Sequence, residues 1–128
     1  MVECSCFCYI FSGGKFYFVT VDNTKGSYKV PTVFIDEESG NPDDLLIDEM
    51  GKLGLKIDRS KLVPFEQDVE TKKLAFFAKT VVTENMVKGL SVVGIETLFN
   101  NVSREQFKSF IKLLSIMKKS EGFVMTEI

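Results

Sequence analysis

Residues 30–55 decide the fold, and they read VPTVFIDEESGNPDDLLIDEMGKLGL. Residues 28–31 are extended, because the residue before a proline avoids helical backbone angles, and residues 33–35 continue in β character. Residues 36–40, Asp-Glu-Glu-Ser-Gly, are polar and end in a glycine, as loops do. The first half of the stretch therefore predicts a strand followed by an acidic loop.

The second half of the stretch predicts a helix. Asn41 has a capping side chain, Pro42 suits the first helical position, and two aspartates follow at the positive end of the helix dipole. Gly54 marks the end, because glycine readily adopts the left-handed angles that terminate helices. The predicted core stripe of this helix consists of Leu46, Met50 and Leu53.

The chain on either side supplies strands. A Ser-Gly-Gly-Lys turn separates two alternating segments, residues 3–11 and 16–21, and this pattern predicts a β-hairpin. The continuous apolar centre of residues 73–82 is typical of a middle strand that is covered on both faces. Further strands are predicted at residues 55–57, at 62–65 and within 90–97.

A last helix is predicted to begin at Ser103, where Ser-Arg-Glu-Gln fits a capping box. Residues 122–128 are interpreted as a short edge strand or a frayed end. The predicted core stripe consists of Phe107, Phe110, Ile111, Leu114 and Met117. The lysines outside that stripe predict a solvated face, and they are Lys108, Lys112, Lys118 and Lys119.

Three cysteines, Cys4, Cys6 and Cys8, alternate along the first strand, so their side chains point to one face. Residues two apart on a strand are separated by roughly 7 Å, which is long for a disulfide and awkward for one zinc ion. We interpret them as small apolar side chains packed under a sheet in a reducing compartment. The sequence has no histidine to complete a metal site or to act as a general base.

Length and charge limit the function classes. The chain has 128 residues, the size of one domain. A formal net charge of -2 gives no overall attraction for nucleic acid or anionic lipid, so we expect neither a DNA partner nor a membrane partner. The first residues lack the pattern of a secretory signal, which predicts a cytoplasmic protein. The sequence does not define the oligomeric state.

The order of the predicted elements resembles the Nudix hydrolase fold over nearly the whole chain. The diagnostic stretch of that family is G-x5-E-x7-R-E-U-x-E-E-x-G-U, a loop and helix that place glutamates around magnesium. The resemblance implies an α+β protein, an α/β/α sandwich with a mixed β-sheet between helices, in one domain that spans residues 1–128.

Residues 30–55 depart from the family pattern at several positions, so the diagnostic stretch is degenerate. Thr32 and Val33 stand where two glycines are usual, and Asp48 replaces the arginine. Glu49 is the glutamate that lines up cleanly. Gly51-Lys52 occupies the place of x-Glu-Glu with one residue missing. A lysine in place of a ligand adds positive charge, so the resemblance implies a magnesium ion that is bound weakly.

The resemblance assigns candidate site residues. Glu49 and either Glu37 or Glu38 are the catalytic candidates, and Glu49 with Asp48 are the candidate metal ligands. Lys52 has two interpretations: a surface ion pair with Asp48, or a phosphate-binding cation that replaces the metal.

Three further residues complete the candidate ligand site. Glu84 and Glu96 follow the long strand, in the region from which family members sometimes supply a distant catalytic base. The alternative is that both are exposed residues of a loop or a strand end. Tyr28, together with Phe16 and Phe18, has two interpretations: these rings stack on the base of a nucleotide, or they belong to the core or the sheet surface.

Three hypotheses about function remain open. The first is a non-catalytic Nudix-fold module that binds a nucleotide-like ligand or a protein partner. The second is an atypical magnesium-dependent pyrophosphohydrolase that acts on nucleoside diphosphate-linked substrates, supported by the seven carboxylates among residues 36–49. The third is an unrelated α+β interaction domain. The loss of box residues favours the first.

Overall fold

A mixed β-sheet forms the centre of the fold. The structure, a computed structural model, describes residues 1–22 and 28–121, with side chains as far as residue 116. The described strands are β1 Val2–Ser12, β2 Lys15–Val21, β3 Thr32–Ile35, β4 Leu55–Ile57, β5 Val63–Asp68, β6 Lys73–Val82 and β7 Leu90–Gly94. The described α-helices are α1 Pro42–Lys52, α2 Ile95–Phe99 and α3 Arg104–Glu121. The tail at residues 122–128 lies outside the described residues.

The strands are ordered β4-β6-β1-β2-β7, with β3 also pairing with β1 and β5 with β6. The β1–β6 pair is parallel and the other pairs are antiparallel. Gly13 and Gly14 have φ angles of 59° and 76°, the two left-handed positions that a tight hairpin turn requires. The predicted hairpin and the predicted bounds of β6 are both confirmed.

The sheet separates two cores. The cysteine face packs against α1 through Leu46 and Met50, which are fully buried as predicted. The opposite face is aromatic and packs against α2 and α3 through Leu98 and Phe110. This arrangement is the sandwich that the sequence predicts, and it leaves Ala75 to Ala78 of β6 covered on both sides.

The local signals at the start and end of α1 also act as predicted. The side chain of Asn41 accepts a hydrogen bond from the Asp43 amide at 2.9 Å, and Pro42 is the first helical residue. Gly54 has a φ of 83°, the left-handed angle expected after a helix. Leu53, the third residue of the predicted stripe, is partly buried against the same core.

All three cysteines are buried and free, as the sequence predicts. The Cys8 thiol donates a hydrogen bond to the Cys6 sulfur across 3.4 Å, which together with burial raises the pKa of Cys6. Burial, with the nearby Glu37 and Glu3 carboxylates, raises the pKa of Cys4 to about 11. The Cys4 and Cys6 thiols therefore stay protonated, and all three cysteines act as core side chains.

The strand predicted within residues 90–97 is confirmed as β7, Leu90–Gly94. Residues 95–97 belong to the short helix α2, because Leu98 turns inward and packs in the aromatic core at the end of β7. Packing here overrides the strand preference of β-branched residues.

The core stripe of α3 is rotated from the predicted one. Phe110 and Leu114 are buried as expected, but Leu113 is buried too, whereas Phe107 and Ile111 are 38% and 45% exposed. The helix rests on the sheet along the side of Leu113, which turns Phe107 and Ile111 toward solvent. The side chains of Met117, Lys118 and Lys119 lie outside the described residues.

The start of α3 confirms half of the predicted capping box. The Ser103 hydroxyl accepts a hydrogen bond from the Gln106 amide at 3.2 Å. The side-chain oxygen of Gln106 is buried without a hydrogen-bond partner in the described part of the chain. Lys108 and Lys112 are exposed, as predicted. No described helix is long and apolar enough to cross a membrane.

Candidate functional site

The exposed side of α1 carries the residues that the family pattern assigns to metal binding. Glu49 lies on the last full turn, and its Oε1 is 2.8 Å from the Nζ of Lys52. The predicted partner of Lys52 was Asp48, so that pairing is wrong: the lysine reaches back three residues rather than four. The hydrogen bond and charge of Glu49 raise the pKa of Lys52, with a smaller contribution from Asp48.

The carboxylate of Glu49, which aligns with a glutamate of the family pattern, is therefore already paired with a lysine. The Lys52 side chain is 71% exposed and that of Glu49 37% exposed, so the pair lies at the surface. Asp48 is exposed. On the same helix, the Asp44 carboxylate pairs with the Arg59 guanidinium. Two of the acidic side chains of α1 therefore already have a cation as partner.

The acidic segment before α1 forms a single 3-10 turn, Glu37–Ser39. Asp36 caps it, because its two carboxylate oxygens accept hydrogen bonds from the Glu38 amide at 3.1 Å and the Ser39 hydroxyl at 3.0 Å. All three carboxylates are exposed, and because Asp36 caps the turn, Glu37 and Glu38 are the two that do not take part in the cap.

A cavity of about 410 Å³ lies between this acidic turn, the start of β1 and the turn that joins β5 to β6. Its apolar lining includes Val2, which belongs to the core on the α1 side of the sheet, and Leu74, which packs against that core. Its volume is in the range of small-molecule pockets. The charged lining residues are Asp36, Glu37, Glu38, Asp68, Lys72 and Lys73.

The β5–β6 turn supplies the cations of the cavity. Asp68 accepts hydrogen bonds from the amides of Glu70 and Thr71, at 3.1 Å and 3.2 Å, and the Thr71 contact is the main cause of its lowered pKa. Lys72 has a left-handed φ of 54°, and its carbonyl accepts a hydrogen bond from the Glu3 amide at 3.0 Å. The Lys73 ammonium lies 3.7 Å from a Glu3 carboxylate oxygen.

Magnesium prefers near-octahedral oxygen ligands, including one or two carboxylates. Glu49 is paired with Lys52 and does not line the cavity, whereas Glu37 and Glu38 do. Within residues 1–22 and 28–121, no group of three or more His, Cys, Asp or Glu side chains could hold a metal ion. The described residues do not fit the magnesium site that the resemblance implies.

The remaining predicted ligand residues are separate from the cavity lining. Glu84 is exposed in the turn after β6, and Glu96 is exposed in the first turn of α2. Tyr28 is partly buried against the aromatic core. Phe16 and Phe18 are buried in that core, so they are not available to stack a base.

Sequence reasoning missed Lys72 and Lys73, which line the same cavity as Glu37 and Glu38. A usable signal was present: residues 63–68 and 73–77 pair as a hairpin, which places its turn at one end of the sheet. That pairing brings the two lysines beside the amino-terminal end of β1, because β1 runs parallel to β6.

Comparisons with known proteins support the fold. No model of a known protein family matches the chain, and no curated protein matches it. Solved structures do match. An Ap4A hydrolase from C. elegans gives a TM-score of 0.59 at 14% identity, over 91% of this chain and 99% of that chain.

Two further structures match over most of their lengths. The Nudix domain of Shewanella oneidensis NrtR, complexed with ADP ribose, gives a TM-score of 0.56 at 7% identity, over 91% of this chain and 88% of that chain. A chain in the complex between the C-terminal domain of mouse MUTYH and human PCNA gives a TM-score of 0.63 at 12% identity, over 100% of this chain and 95% of that chain.

The chain therefore has a Nudix-like fold with an α+β architecture, as the resemblance in the order of its elements implies. The hypothesis of an unrelated α+β fold is wrong. Identities of this size establish a shared fold, and the activity has to be argued from the residues of the site.

Proposed function

We propose that this chain is a non-catalytic Nudix-fold module that binds a nucleotide-like ligand in the cavity between the acidic turn and the β5–β6 turn. The observation that carries the proposal is the 2.8 Å ion pair between Glu49 and Lys52. It places a cation on the carboxylate that a Nudix hydrolase would offer to magnesium, so the charge that attracts the metal is neutralised.

The chemistry of the cavity supports a ligand with two different ends. Lys72 and Lys73 offer ammonium groups to a phosphate, and Glu37 and Glu38 offer acceptors to hydroxyl or amino groups. A ribonucleotide carries phosphates at one end and sugar hydroxyls and base amines at the other. ADP ribose, with which the NrtR Nudix domain was solved, is a suitable probe ligand.

The alternative, an atypical pyrophosphohydrolase, needs a metal-bound water or another activated nucleophile. Its support is the density of carboxylates before and within α1. In the structure those carboxylates are divided between the cavity, the cap of the 3-10 turn and ion pairs with Lys52 and Arg59. This division supports binding without hydrolysis.

The proposal predicts that ADP ribose binds in the absence of divalent metal and that Lys72→Ala weakens this binding. Loss of one phosphate-binding cation should raise the dissociation constant about tenfold or more, because a charge-assisted contact is removed. Isothermal titration with ADP ribose in the presence of a chelator measures both quantities.

The matched control is Lys61→Ala, which removes an exposed lysine that does not line the cavity. The control should bind like the unmodified chain. Absence of binding at millimolar ADP ribose would contradict the proposal, and so would equal affinity of the Lys72→Ala variant and the unmodified chain.

A further inference from the structure

The outward side of α3 carries two large apolar side chains that the core does not cover. Phe107 and Ile111 lie four residues apart, so they are neighbours on one face of the helix. Both remain more than a third exposed. The ring of Phe107 packs edge-on against Phe99 of α2, with ring centroids 5.1 Å apart. Phe107 and Ile111 therefore form a short apolar ridge, in which the Phe107 ring packs against α2.

A line of cations runs beside this ridge. Arg104, Lys108 and Lys112 are also spaced four residues apart, and all three are exposed. The ion pairs found among the described residues involve none of them. Their sole acidic neighbour on the described exposed side of α3 is Glu105. An apolar ridge and a cationic line therefore run in parallel along the helix.

We propose that this face of α3 is a docking surface for a protein segment that is acidic and amphipathic. Such a segment would place apolar side chains on the Phe107–Ile111 ridge and carboxylates beside the cationic line. An amphipathic helix presents side chains at the same three- and four-residue spacing, so its pattern matches that of α3. Charge complementarity sets the orientation and the rate of binding, and the buried apolar contact slows dissociation.

A protein segment fits this surface better than a lipid bilayer. The ridge has two described side chains, each less than half exposed, which leaves little apolar area to insert into a membrane. The docking surface also lies on the opposite side of the sheet from α1, so it is separate from the metal-binding helix of the family pattern.

The experiment uses a fluorescein-labelled synthetic helical peptide with leucines at four-residue spacing, flanked by glutamates. Fluorescence anisotropy should show saturable binding to the full chain that weakens as salt is added. The double variant Lys108→Glu, Lys112→Glu should weaken binding about tenfold or more. These positions are exposed, so circular dichroism should show an unchanged fold. Ile111→Ser should weaken binding independently of charge.

The matched control is Lys56→Glu with Lys79→Glu, which reverses two exposed lysines on the sheet and should leave peptide binding unchanged. Three results would overturn the proposal: equal binding by the Lys108→Glu, Lys112→Glu variant, binding to phosphatidylserine vesicles with none to the peptide, or self-association of the chain through this face. ADP ribose binding by the same variants reports separately on the cavity, so a failure of one proposal is distinguishable from a failure of the other.

Discussion

Replacing Gly54 with alanine should destabilise the fold by about 3 kcal/mol or more, which is a large effect for one added methyl group. A Cβ at this position would lie 2.4 Å from both the Cα and the nitrogen of Met86, and 2.5 Å from the carbonyl carbon of Asn85. These contacts are with backbone atoms, which cannot move aside like a flexible side chain. The left-handed φ of 83° adds a further cost of about 1–2 kcal/mol for any residue with a Cβ.

The close approach has a structural origin in the turn after β6. The Gly54 carbonyl accepts hydrogen bonds from the Thr83 amide at 3.0 Å and from the Thr83 hydroxyl at 2.7 Å. The Val87 amide donates to the Leu53 carbonyl at 3.1 Å. These bonds hold the turn directly against the end of α1, so a side chain at Gly54 would separate the helix from the sheet.

Gly51→Ala is the matched control, because it adds the same methyl group within α1. Apart from its chain neighbours and the local backbone of α1, no described atom lies within 4 Å of a Cβ built there, and alanine is favoured over glycine in a helix by about 1 kcal/mol. Urea unfolding of both variants should give a lower midpoint for Gly54→Ala and an equal or higher one for Gly51→Ala. Similar midpoints for the two variants would contradict the described packing.

Replacing Phe110 with alanine should lower the free energy of unfolding by about 3–5 kcal/mol. Phe110 is fully buried, and its ring contacts Phe7 edge-on at 4.8 Å and Phe18 at 5.0 Å between centroids. Truncation leaves a cavity between α3 and the sheet, because these rings belong to neighbouring strands that cannot close together. Thermal and urea unfolding measure the loss.

Phe107→Ala is the control for Phe110→Ala, since it removes the same group from the same helix. Phe107 is partly exposed and keeps mainly its contact with Phe99, so its loss should cost about 1 kcal/mol. If Phe107→Ala were as destabilising as Phe110→Ala, the described orientation of α3 would be wrong. That result would also remove the docking surface.

The parts of the fold that local chemistry determines could be predicted from the sequence. Asn41 and Gly54 bound α1 because capping and left-handed angles depend on single residues. The apolar centre of residues 73–82 identified β6 because alternation is lost where both faces are buried. The orientation of α3 could not be predicted, because Phe107, Phe110 and Ile111 have similar hydrophobicity and the sheet decides which of them is covered.

The candidate site was predicted in part. The acidic turn and Glu49 could be located by resemblance, but the partner of Glu49 depends on the side-chain conformation of Lys52, for which two carboxylates were within reach. Lys72 and Lys73 were missed because their place in the cavity results from the β5–β6 pairing. The two lysines lie more than thirty positions after Glu37 in the sequence. Sequence spacing alone does not show such contacts.

The most direct test of the central claim, a Nudix-like fold without a functional magnesium site, is isothermal titration of magnesium and manganese into the purified chain and into Glu49→Gln. Because the Glu49 carboxylate is paired with Lys52 and the loop acids line a separate cavity, we expect no saturable binding at millimolar metal in either protein. Saturable binding by the unmodified chain that disappears in Glu49→Gln would contradict the account and support the hydrolase instead.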